Sequence, residues 1–365
     1  MSDVVSGVVS SRPRPRACTA IAGTNIALVK YWGKRDAALN LPATGSLSLT
    51  LAELGTRTSV RFLDVADADR ITVAGAPADA RFRGRVVGFL DRVRARAGIA
   101  ARAEVATENS VPTASGLASS ASGFAALALA ASRAAGLQLS HGELSELARL
   151  GSGSAARSIF GGFVEMARGE RADGRDAVAS PLALRDDGPP WDLRLVIAIT
   201  AAGEKAEGST SAMDRTASTS PFFPAWVASV PADLAEARAA VAARDLPGLG
   251  AVAERSALRM HATALAADPA IVYWNGATVA AIHATRGLRA RGLAAYFTID
   301  AGPHVKVLCA AAKAGEVAAA LANVPGVLRT ITASPGPGAR LADTHLFDAH
   351  ERSGHAPGAH AGSAP

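Results

Sequence analysis

The sequence predicts a mixed fold of strands and helices that is large enough for two domains. Segments in which apolar and polar residues alternate, which is typical of strands, are interspersed with segments of helical periodicity. The chain has 365 residues, enough for two domains that each have a substantial core. A loop rich in aspartate and proline, residues 185–190, precedes a buried strand. We therefore place the boundary between the domains near residues 188–200.

The two ends of the chain differ in composition from its centre. Residues 1–16 are rich in polar residues, proline and arginine, and residues 349–365 are rich in glycine, alanine, serine, proline and histidine. Because such segments bury little apolar surface, we expect both ends to be disordered and dispensable for activity. The predicted domains are therefore residues 17–192 and residues 193–348.

Periodicity and capping signals predict the elements between these ends. Ser140 and Glu143 have the spacing of a capping box, and Gly136 is a typical C-cap of the helix that precedes it. The predicted strands are residues 46–51, 56–63, 194–200, 294–299 and 327–333. The predicted helices are residues 79–97, 124–135, 144–150, 232–244, 247–266 and 271–288.

Composition excludes several classes of protein. Hydrophobic residues make up 49% of the chain, yet no apolar run approaches the roughly 20 residues that span a bilayer. The start of the chain lacks the charged segment and apolar stretch of a secretory signal. Two cysteines, Cys18 and Cys309, are too few for a disulfide framework or a zinc site. We therefore expect a cytoplasmic protein with no membrane partner.

A net charge of +6 raises the question of nucleic-acid binding. The basic residues are scattered, however, and aromatic residues that could stack on bases are few. Residues 92–96 carry several arginines but lie on a predicted helix, where such charges usually form a solvated face. We therefore expect no nucleic-acid partner, and the charge favours a small polyanionic substrate.

The most informative segment is a loop of small residues at 112–123, PTASGLASSASG. It leads directly into a strong helix former. Such a loop leaves backbone N–H groups free at the positive end of the helix dipole, where they bind anions, usually phosphate. A tightly packed, alanine-rich start of a helix is the alternative interpretation.

Residues 25–34, NIALVKYWGK, bring two lysines and a phenol close together. Lys30 and Lys34 are four residues apart and would share one face of a helix, where together with Tyr31 they would form a phosphate clamp. A solvated surface helix with a buried Trp32 is the alternative.

Two further segments carry candidate site residues. Ser152 and Ser154 precede Arg157, which has no acidic neighbour in the sequence and whose guanidinium suits a carboxylate or a phosphate. Ser154 could instead be the N-cap of a helix. Asp300 ends an apolar strand before a Gly-Pro turn, a place where catalytic acids are often displayed, although it could equally cap that turn.

These segments together resemble the diphosphomevalonate decarboxylases, a family of the GHMP kinase superfamily. The motifs KYWGK at 30–34 and IDAGP at 299–303, with the segment around Arg157, are the specific part of the resemblance, whereas the glycine-serine loop marks only the superfamily. The resemblance extends from about Cys18 to Phe347. It implies a two-domain α+β fold of the GHMP-kinase type, with an N-terminal α/β sandwich that carries a left-handed βαβ ATP loop and a C-terminal ferredoxin-like α+β domain.

The resemblance also implies an activity. This is the ATP-dependent decarboxylation of (R)-5-diphosphomevalonate to isopentenyl diphosphate, ADP, phosphate and carbon dioxide, through phosphorylation of the C3 hydroxyl, in the mevalonate pathway of isoprenoid biosynthesis. ATP and Mg²⁺ are the implied cofactors and a homodimer the implied assembly. The alternatives are a phosphomevalonate decarboxylase, a kinase that phosphorylates C3 and stops, and a catalytically silent paralogue that binds a nucleotide or an isoprenoid phosphate.

Positions that match the family's motifs carry over its roles. Asp300 resembles the catalytic aspartate oriented toward the C3 hydroxyl, Lys30 resembles the lysine beside it, and Arg157 resembles a catalytic residue that orients the substrate. The residues that correspond to the substrate-binding set are Asn25, Tyr31, Lys34, Ser152, Ser154, Arg157 and Ser209. The residues that correspond to the ATP-binding set are Pro112, Ser115, Gly116, Leu117, Ala118, Ser119, Ser120 and Lys205, of which Ser119 and Ser120 are also expected at the magnesium ion.

His304 and Ser209 depart from the family's motifs or match them only loosely, and Lys205 has an alternative interpretation. The family often has asparagine where His304 follows the IDAGP motif, and Ser209 aligns only loosely with a serine-rich segment before a substrate-contacting methionine. Lys205 could equally be a solvated loop lysine. Because an opposite charge lowers the pKa of a carboxyl, Lys30 is expected to keep Asp300 ionised.

Overall fold

A computed structural model describes residues 17–110, 119–184, 191–203 and 207–347. The strands in these ranges are β1 (Cys18–Val29), β2 (Lys34–Asp36), β3 (Leu41–Pro42), β4 (Ser46–Leu63), β5 (Arg70–Val73), β6 (Ala76–Pro77), β7 (Arg102–Asn109), β8 (Phe163–Met166), β9 (Ala179–Pro181), β10 (Leu193–Ile199), β11 (Ala295–Ile299), β12 (Val305–Ala310), β13 (Arg329–Ala333) and β14 (Arg340–Ala342). The α-helices are α1 (Ala80–Ala97), α2 (Ser119–Ala134), α3 (His141–Gly151), α4 (Ser209–Thr219), α5 (Phe223–Ala243), α6 (Leu246–Leu265), α7 (Gly276–Ala290) and α8 (Ala314–Ala322). Short 3₁₀ helices cover Gly153–Ile159 and Ala311–Lys313.

The first sheet is built around the 18-residue strand β4. β4 pairs antiparallel with β1 along most of its length, with β8 near its start and with β7 near its end. The order across the sheet is β14-β1-β4-β7-β5-β6, and β8 and β9 extend it from β4. Helices α1, α2 and α3 share one apolar cluster with this sheet. Most of the residues that α2 contributes are fully buried alanines, whose small side chains let this helix lie close to β1 and β4.

The second sheet has the order β11-β12-β10-β13, and all of its pairs are antiparallel. Helices α7 and α8 form an apolar cluster with it that includes Ile282, Val317 and Leu321. Helices α5 and α6 contribute to a different cluster, which also contains residues of β1, β4 and β10. These two helices therefore join the first sheet to the second, and the candidate site lies beside α6.

Local signals predicted several boundaries well. Ser140 and Glu143 form the expected capping box of α3, and α1 covers the predicted helix after its N-cap Asp79. Helix α7 begins at Gly276, later than predicted, because Asn275 caps it by accepting a hydrogen bond from the backbone N–H of Thr278. Residues 46–63, predicted as two strands, form the single strand β4.

Strands β1 and β12 were not predicted, because they are buried on both faces. Most residues of each strand are buried, so neither shows the alternation that marks a half-exposed strand. Helix α5 begins at Phe223, earlier than predicted, and it accommodates Pro231 in its interior. These elements follow from long-range packing, which local periodicity does not report.

The end of the described chain returns to the first sheet. β14 pairs antiparallel with the beginning of β1, and Thr19 Oγ1 lies 2.8 Å from His345 Nδ1. The backbone N–H of Leu346 donates to Ser59 Oγ at 2.8 Å. Residues 340–347 are therefore attached to the first sheet although they fall within the second predicted domain, and the predicted domain boundaries remain a prediction.

Some predictions concern residues outside the described ranges. These are the two predicted tails and most of the small-residue loop, including residues 112–118. Among the helices that the structure does describe, none is both long enough and apolar enough to cross a membrane.

Candidate active site

The predicted site residues of the two sheets meet where β1 ends beside β11. The backbone N–H of Lys30 donates to Ser256 Oγ of α6 at 3.0 Å. Thr298 Oγ1 of β11 donates to the Ala27 carbonyl of β1 at 3.1 Å. These two hydrogen bonds hold the ends of β1 and β11 side by side. Lys30 and Asp300, which directly follow these two strands, therefore lie close together.

Asp300 lies between two buried lysines. Lys30 Nζ is 2.6 Å from Asp300 Oδ1, and Lys306 Nζ is 3.1 Å from Asp300 Oδ2. The side chains of Lys30 and Lys306 are 1% and 4% exposed, whereas that of Asp300 is 28% exposed. The carboxylate is therefore held by both lysines and is still accessible to a ligand.

Lys306 was not predicted as a site residue. This lysine lies on β12 and is paired with Thr298 of β11, two residues before Asp300. Its signal in the sequence is a single charge within the apolar run VKVLC at 305–309. Because a lysine is almost never fully buried without a partner, such a residue indicates a carboxylate nearby.

The charges around Asp300 favour its ionised form. Burial alone would raise the pKa of the Asp300 carboxyl, but Lys30 and Lys306 outweigh burial and hold this pKa well below its ordinary value. Burial lowers the pKa of Lys30 to about 8, although Asp300 opposes the shift. Burial, reinforced by Lys30, lowers the pKa of His261 to about 3, so this histidine is neutral. At neutral pH the site therefore contains an aspartate anion and the Lys30 cation.

The backbone of the turn after Asp300 is stabilised without the aspartate side chain. The Asp300 carbonyl accepts a hydrogen bond from the backbone N–H of Gly302 at 2.7 Å. Thr200 Oγ1 donates to the Pro303 carbonyl at 2.8 Å, and the Thr200 backbone N–H donates to Nδ1 of the buried His304 at 3.2 Å. The Asp300 carboxylate is directed at the lysines, so the turn-capping alternative is not realised.

The expectation that Lys30 and Lys34 share a helical face is wrong. Gly33 adopts a positive φ of 91°, so the chain turns between the two lysines, and Lys34 begins the short strand β2. Trp32 is buried, with its ring edge-on to Tyr273. Lys34 is half-buried, which lowers its pKa against the attraction of Asp214, and it forms no ion pair with a described residue.

Tyr31 packs against the 3₁₀ helix at Gly153–Ile159. A Cβ atom at Gly153 would lie 2.1 Å from Tyr31 Oη, so only glycine leaves room for the phenol there. The Tyr31 hydroxyl is buried and has no hydrogen-bond partner among the described residues. Burial raises its pKa to about 12, so it remains protonated. A buried hydroxyl in this state is suited to bind a ligand.

Arg157 is a buried cation whose protein partners are neutral. Its side chain is 2% exposed, and its guanidinium donates to Ser48 Oγ at 3.0 Å, to Ser46 Oγ at 2.7 Å and to Asn25 Oδ1 at 3.1 Å. Burial lowers its pKa to about 10, so it is still charged at neutral pH. These bonds leave one N–H on each terminal nitrogen, and the pair suits a carboxylate or a phosphate.

Asn25 uses its side chain to hold Arg157. Its Oδ1 accepts from the Arg157 guanidinium, and its Nδ2 donates to the Ser154 carbonyl at 3.0 Å and to Ser158 Oγ at 2.7 Å. Both amide protons are therefore used within the protein. Asn25 is therefore placed to orient Arg157 and the 3₁₀ helix.

The remaining predicted substrate residues are Ser152 and Ser154 at the 3₁₀ helix and Ser209 at the start of α4. Ser152 precedes the 3₁₀ helix and Ser154 is within it, with their hydroxyl oxygens 3.4 Å apart. The alternative in which Ser154 is an N-cap is therefore wrong. Ser209 is the first residue of α4, the helix that packs against β2 and carries Asp214.

Of the predicted ATP-binding residues, the structure describes only the start of α2. Pro112, Ser115, Gly116, Leu117, Ala118 and Lys205 lie outside the described residues, as does the side chain of Ser119. Ser120 is exposed in the first turn of α2, which has no acidic residue. Behind it, Ser122 Oγ lies 2.7 Å from Thr56 Oγ1. The first turn of α2 therefore places the exposed Ser120 at a helix N-terminus, the end of a helix where anions bind.

Comparisons with known proteins cover most of the chain. Residues 22–179 match the family model of the diphosphomevalonate decarboxylase-like N-terminal domain, and residues 195–334 match that of the mevalonate 5-diphosphate decarboxylase C-terminal domain. The human diphosphomevalonate decarboxylase is 37% identical over 310 residues, which cover 80% of this chain and 76% of the relative.

Solved structures agree with these matches. The mevalonate diphosphate decarboxylase of Staphylococcus aureus superposes with a TM-score of 0.85 at 37% identity, over 90% of this chain and 98% of that one. The complex of MDDEF with MVAPP, AMPPCP and magnesium superposes with a TM-score of 0.84 at 39% identity, over 90% and 99% of the two chains. The predicted fold class is thereby confirmed, and the chain belongs to the diphosphomevalonate decarboxylase family.

Proposed function

We propose that this protein catalyses the ATP-dependent decarboxylation of (R)-5-diphosphomevalonate to isopentenyl diphosphate, ADP, phosphate and carbon dioxide in the mevalonate pathway. The observation that carries the proposal is the accessible Asp300 carboxylate, held ionised beside the buried cations Lys30 and Arg157. It stands in a chain whose relatives are diphosphomevalonate decarboxylases, one of which has been solved with MVAPP, AMPPCP and magnesium.

Asp300 would act on the C3 hydroxyl of the substrate. A tertiary alcohol is a weak nucleophile, so it needs a carboxylate within hydrogen-bond distance to accept its proton during phosphoryl transfer. Lys30, which is fixed by its bonds to Asp300 Oδ1 and to the Ala27 carbonyl, would stabilise the negative charge that develops beside it. Loss of the 3-phosphate and of carbon dioxide would then form the alkene.

Arg157 would orient the carboxylate of the substrate through its two remaining N–H groups. It should not bind that carboxylate too tightly, because an interaction that weakens in the transition state slows decarboxylation. Tyr31, Lys34, Ser152 and Ser154 would bind the diphosphate, with Ser209 at the edge of this region. We propose that Asn25 acts through Arg157, since its own amide group is fully used.

The start of α2 fits a nucleotide with its magnesium ion. No group of three or more histidine, cysteine, aspartate or glutamate side chains in the described ranges could hold a metal by itself. Mg²⁺ commonly takes few protein ligands and completes its octahedron with phosphate oxygens and water. Ser119 and Ser120 would contribute hydroxyls, Mg²⁺ would neutralise phosphate charge, and the loop before α2 and Lys205 would bind ATP.

We also propose a cytoplasmic homodimer, on the strength of the family resemblance. One chain has a mass of 36.9 kDa, so light scattering of the purified protein is expected to give twice this mass. A mass of one chain at micromolar concentration would contradict the proposed assembly.

The activity is tested by incubating the protein with ATP, Mg²⁺ and (R)-5-diphosphomevalonate while ADP and carbon dioxide are followed together. Release of both in equal amounts is expected. ADP without carbon dioxide would identify a C3 kinase, and turnover of the monophosphate alone would identify a phosphomevalonate decarboxylase. Nucleotide binding without either product would identify a silent paralogue.

Gly153→Ala is expected to lower kcat/KM by about 10- to 100-fold, because the new Cβ displaces the Tyr31 ring from the substrate region. The same assay under steady-state conditions measures the loss. Gly142→Ala is the matched control, since a Cβ there meets no atom within 4 Å and its activity should be unchanged. Wild-type activity of Gly153→Ala would show that Tyr31 does not contribute to binding.

A further inference from the structure

We propose that Lys306 is a positioning residue, which holds Asp300 Oδ2 so that the carboxylate keeps one fixed orientation toward the substrate hydroxyl. The inference rests on the proposed role of Asp300 in phosphoryl transfer. It concerns a residue outside the motifs that carry the family resemblance.

Lys306 is anchored more firmly than a lysine side chain usually is. Its backbone lies in β12, which is paired on one side with β10 and on the other with β11, where Ile197 and Thr298 are its partners. Its side chain is 4% exposed. Both the strand and the burial of the side chain therefore restrict where Lys306 Nζ can lie.

Two anchored lysines fix the orientation of the Asp300 carboxylate, which one lysine alone would leave free to rotate. Lys30 Nζ is fixed by the Ala27 carbonyl at 2.7 Å and holds Oδ1, but a carboxylate held at one oxygen can still rotate about its terminal torsion. Lys306 holds the second oxygen at 3.1 Å from the opposite strand. With both oxygens held, the plane of the carboxylate is fixed, and its remaining lone pairs point in defined directions.

Lys306 also changes the pKa values of the neighbouring charged groups in the site. Among the residues that the structure describes, the charged or titratable groups facing Asp300 are Lys30 from the end of β1, Lys306 from β12, His261 from α6 and Arg157 from the 3₁₀ helix. Lys306 lowers the pKa of Asp300 by attraction and that of Lys30 by repulsion. Removing it should therefore raise both pKa values, while His261 remains neutral because burial dominates its shift.

The test uses Lys306→Met and Lys306→Arg in the full-length chain. For Lys306→Met we expect kcat to fall roughly 10- to 100-fold with little change in KM, because substrate binding does not require a fixed carboxylate. The alkaline limb of the pH profile, assigned to Lys30, should move to higher pH, because Lys306 no longer repels the Lys30 ammonium. Lys306→Arg should recover most of kcat, since a guanidinium supplies the same donors. Lys313→Met, an exposed lysine in the segment after β12, is the control.

A structural role alone would give a different result. Loss of packing would lower the melting temperature and reduce kcat at every pH without moving the alkaline limb, and that outcome would overturn the proposal. Unchanged kcat in Lys306→Met would also overturn it. In an Asp300→Asn background, Lys306→Met should cause no further loss of kcat, because it acts through Asp300. A further loss would mean that Lys306 contacts the substrate directly.

A second readout does not depend on turnover. The nitrogen resonance of Lys30 Nζ, identified by its absence in Lys30→Met, should titrate at higher pH in Lys306→Met than in the wild type, where the pKa of Lys30 is about 8. An unchanged titration would overturn the inference even if no substrate were turned over. Absence of decarboxylation by the wild type would instead refute the proposed function, so the two failures are distinguishable.

Discussion

Asp300→Asn is expected to lower kcat by roughly 10²- to 10⁴-fold, the range that a positioned general base contributes. Asparagine has nearly the shape of aspartate and can still accept a hydrogen bond from Lys30, but it cannot take the proton of the C3 hydroxyl. Release of ADP and of carbon dioxide should fall together, because decarboxylation follows phosphorylation. Single-turnover measurements with ATP, Mg²⁺ and (R)-5-diphosphomevalonate check both products.

The interpretation of Asp300→Asn depends on an intact fold. The substitution leaves Lys30 and Lys306 without their shared anion, so circular dichroism and a thermal melt should accompany the assay. Asp192→Asn is the matched control, because Asp192 is exposed and pairs only at the surface with Arg194. A folded Asp300→Asn protein that keeps more than about a tenth of the wild-type kcat would rule out Asp300 as the base.

Activity is also expected to fall as the pH rises through about 8, the pKa of Lys30. Below this pH the ammonium is present and stabilises negative charge in the site, and above it the charge is lost. The limb should appear in kcat/KM, which reports the free enzyme. In kcat it should lie at higher pH, because bound phosphates favour the charged lysine. Lys30→Met should lower kcat/KM by roughly 10²- to 10³-fold at neutral pH.

Lys30→Arg separates the role of the charge from that of the pKa. A guanidinium stays charged throughout this range, so the fall in activity near pH 8 should disappear even if the maximal rate is lower. Persistence of the limb in Lys30→Arg would assign it to a group other than Lys30. Steady-state rates from pH 6 to about 10 in a constant-ionic-strength buffer measure this difference.

Local chemistry made much of the fold predictable. The capping box of Ser140 and Glu143 forms as expected at the start of α3, and the alternation in residues 46–63 marks β4. The chemistry-bearing segments could be recognised because each places an unusual residue among small residues or beside a glycine or proline. Asp300 before its Gly-Pro turn and Arg157 among small residues are examples, and both lie in the site.

The features of the site that could not be predicted depend on contacts between residues far apart in the sequence. Lys306 appears as one charge in an apolar strand, and its carboxylate partner becomes evident only when β11 and β12 are paired. The hydrogen bonds of Asn25 become evident only when the 3₁₀ helix, more than 100 residues further on, packs beside it. Lys30 and Lys34 have helical spacing, yet the turn at Gly33 separates them. In each case tertiary packing overrides the local pattern.

The return of β14 to β1 has a consequence for folding during synthesis. Thr19 and His345 are bonded although they are 326 residues apart in the chain, so the outer edge of β1 stays open until the last described residues leave the ribosome. The ends of β1 and β11 likewise meet only after Thr298 has been made. Because such contacts form late and slowly, the nascent chain exposes an unpaired strand edge for most of its synthesis, and chaperones are expected to protect it.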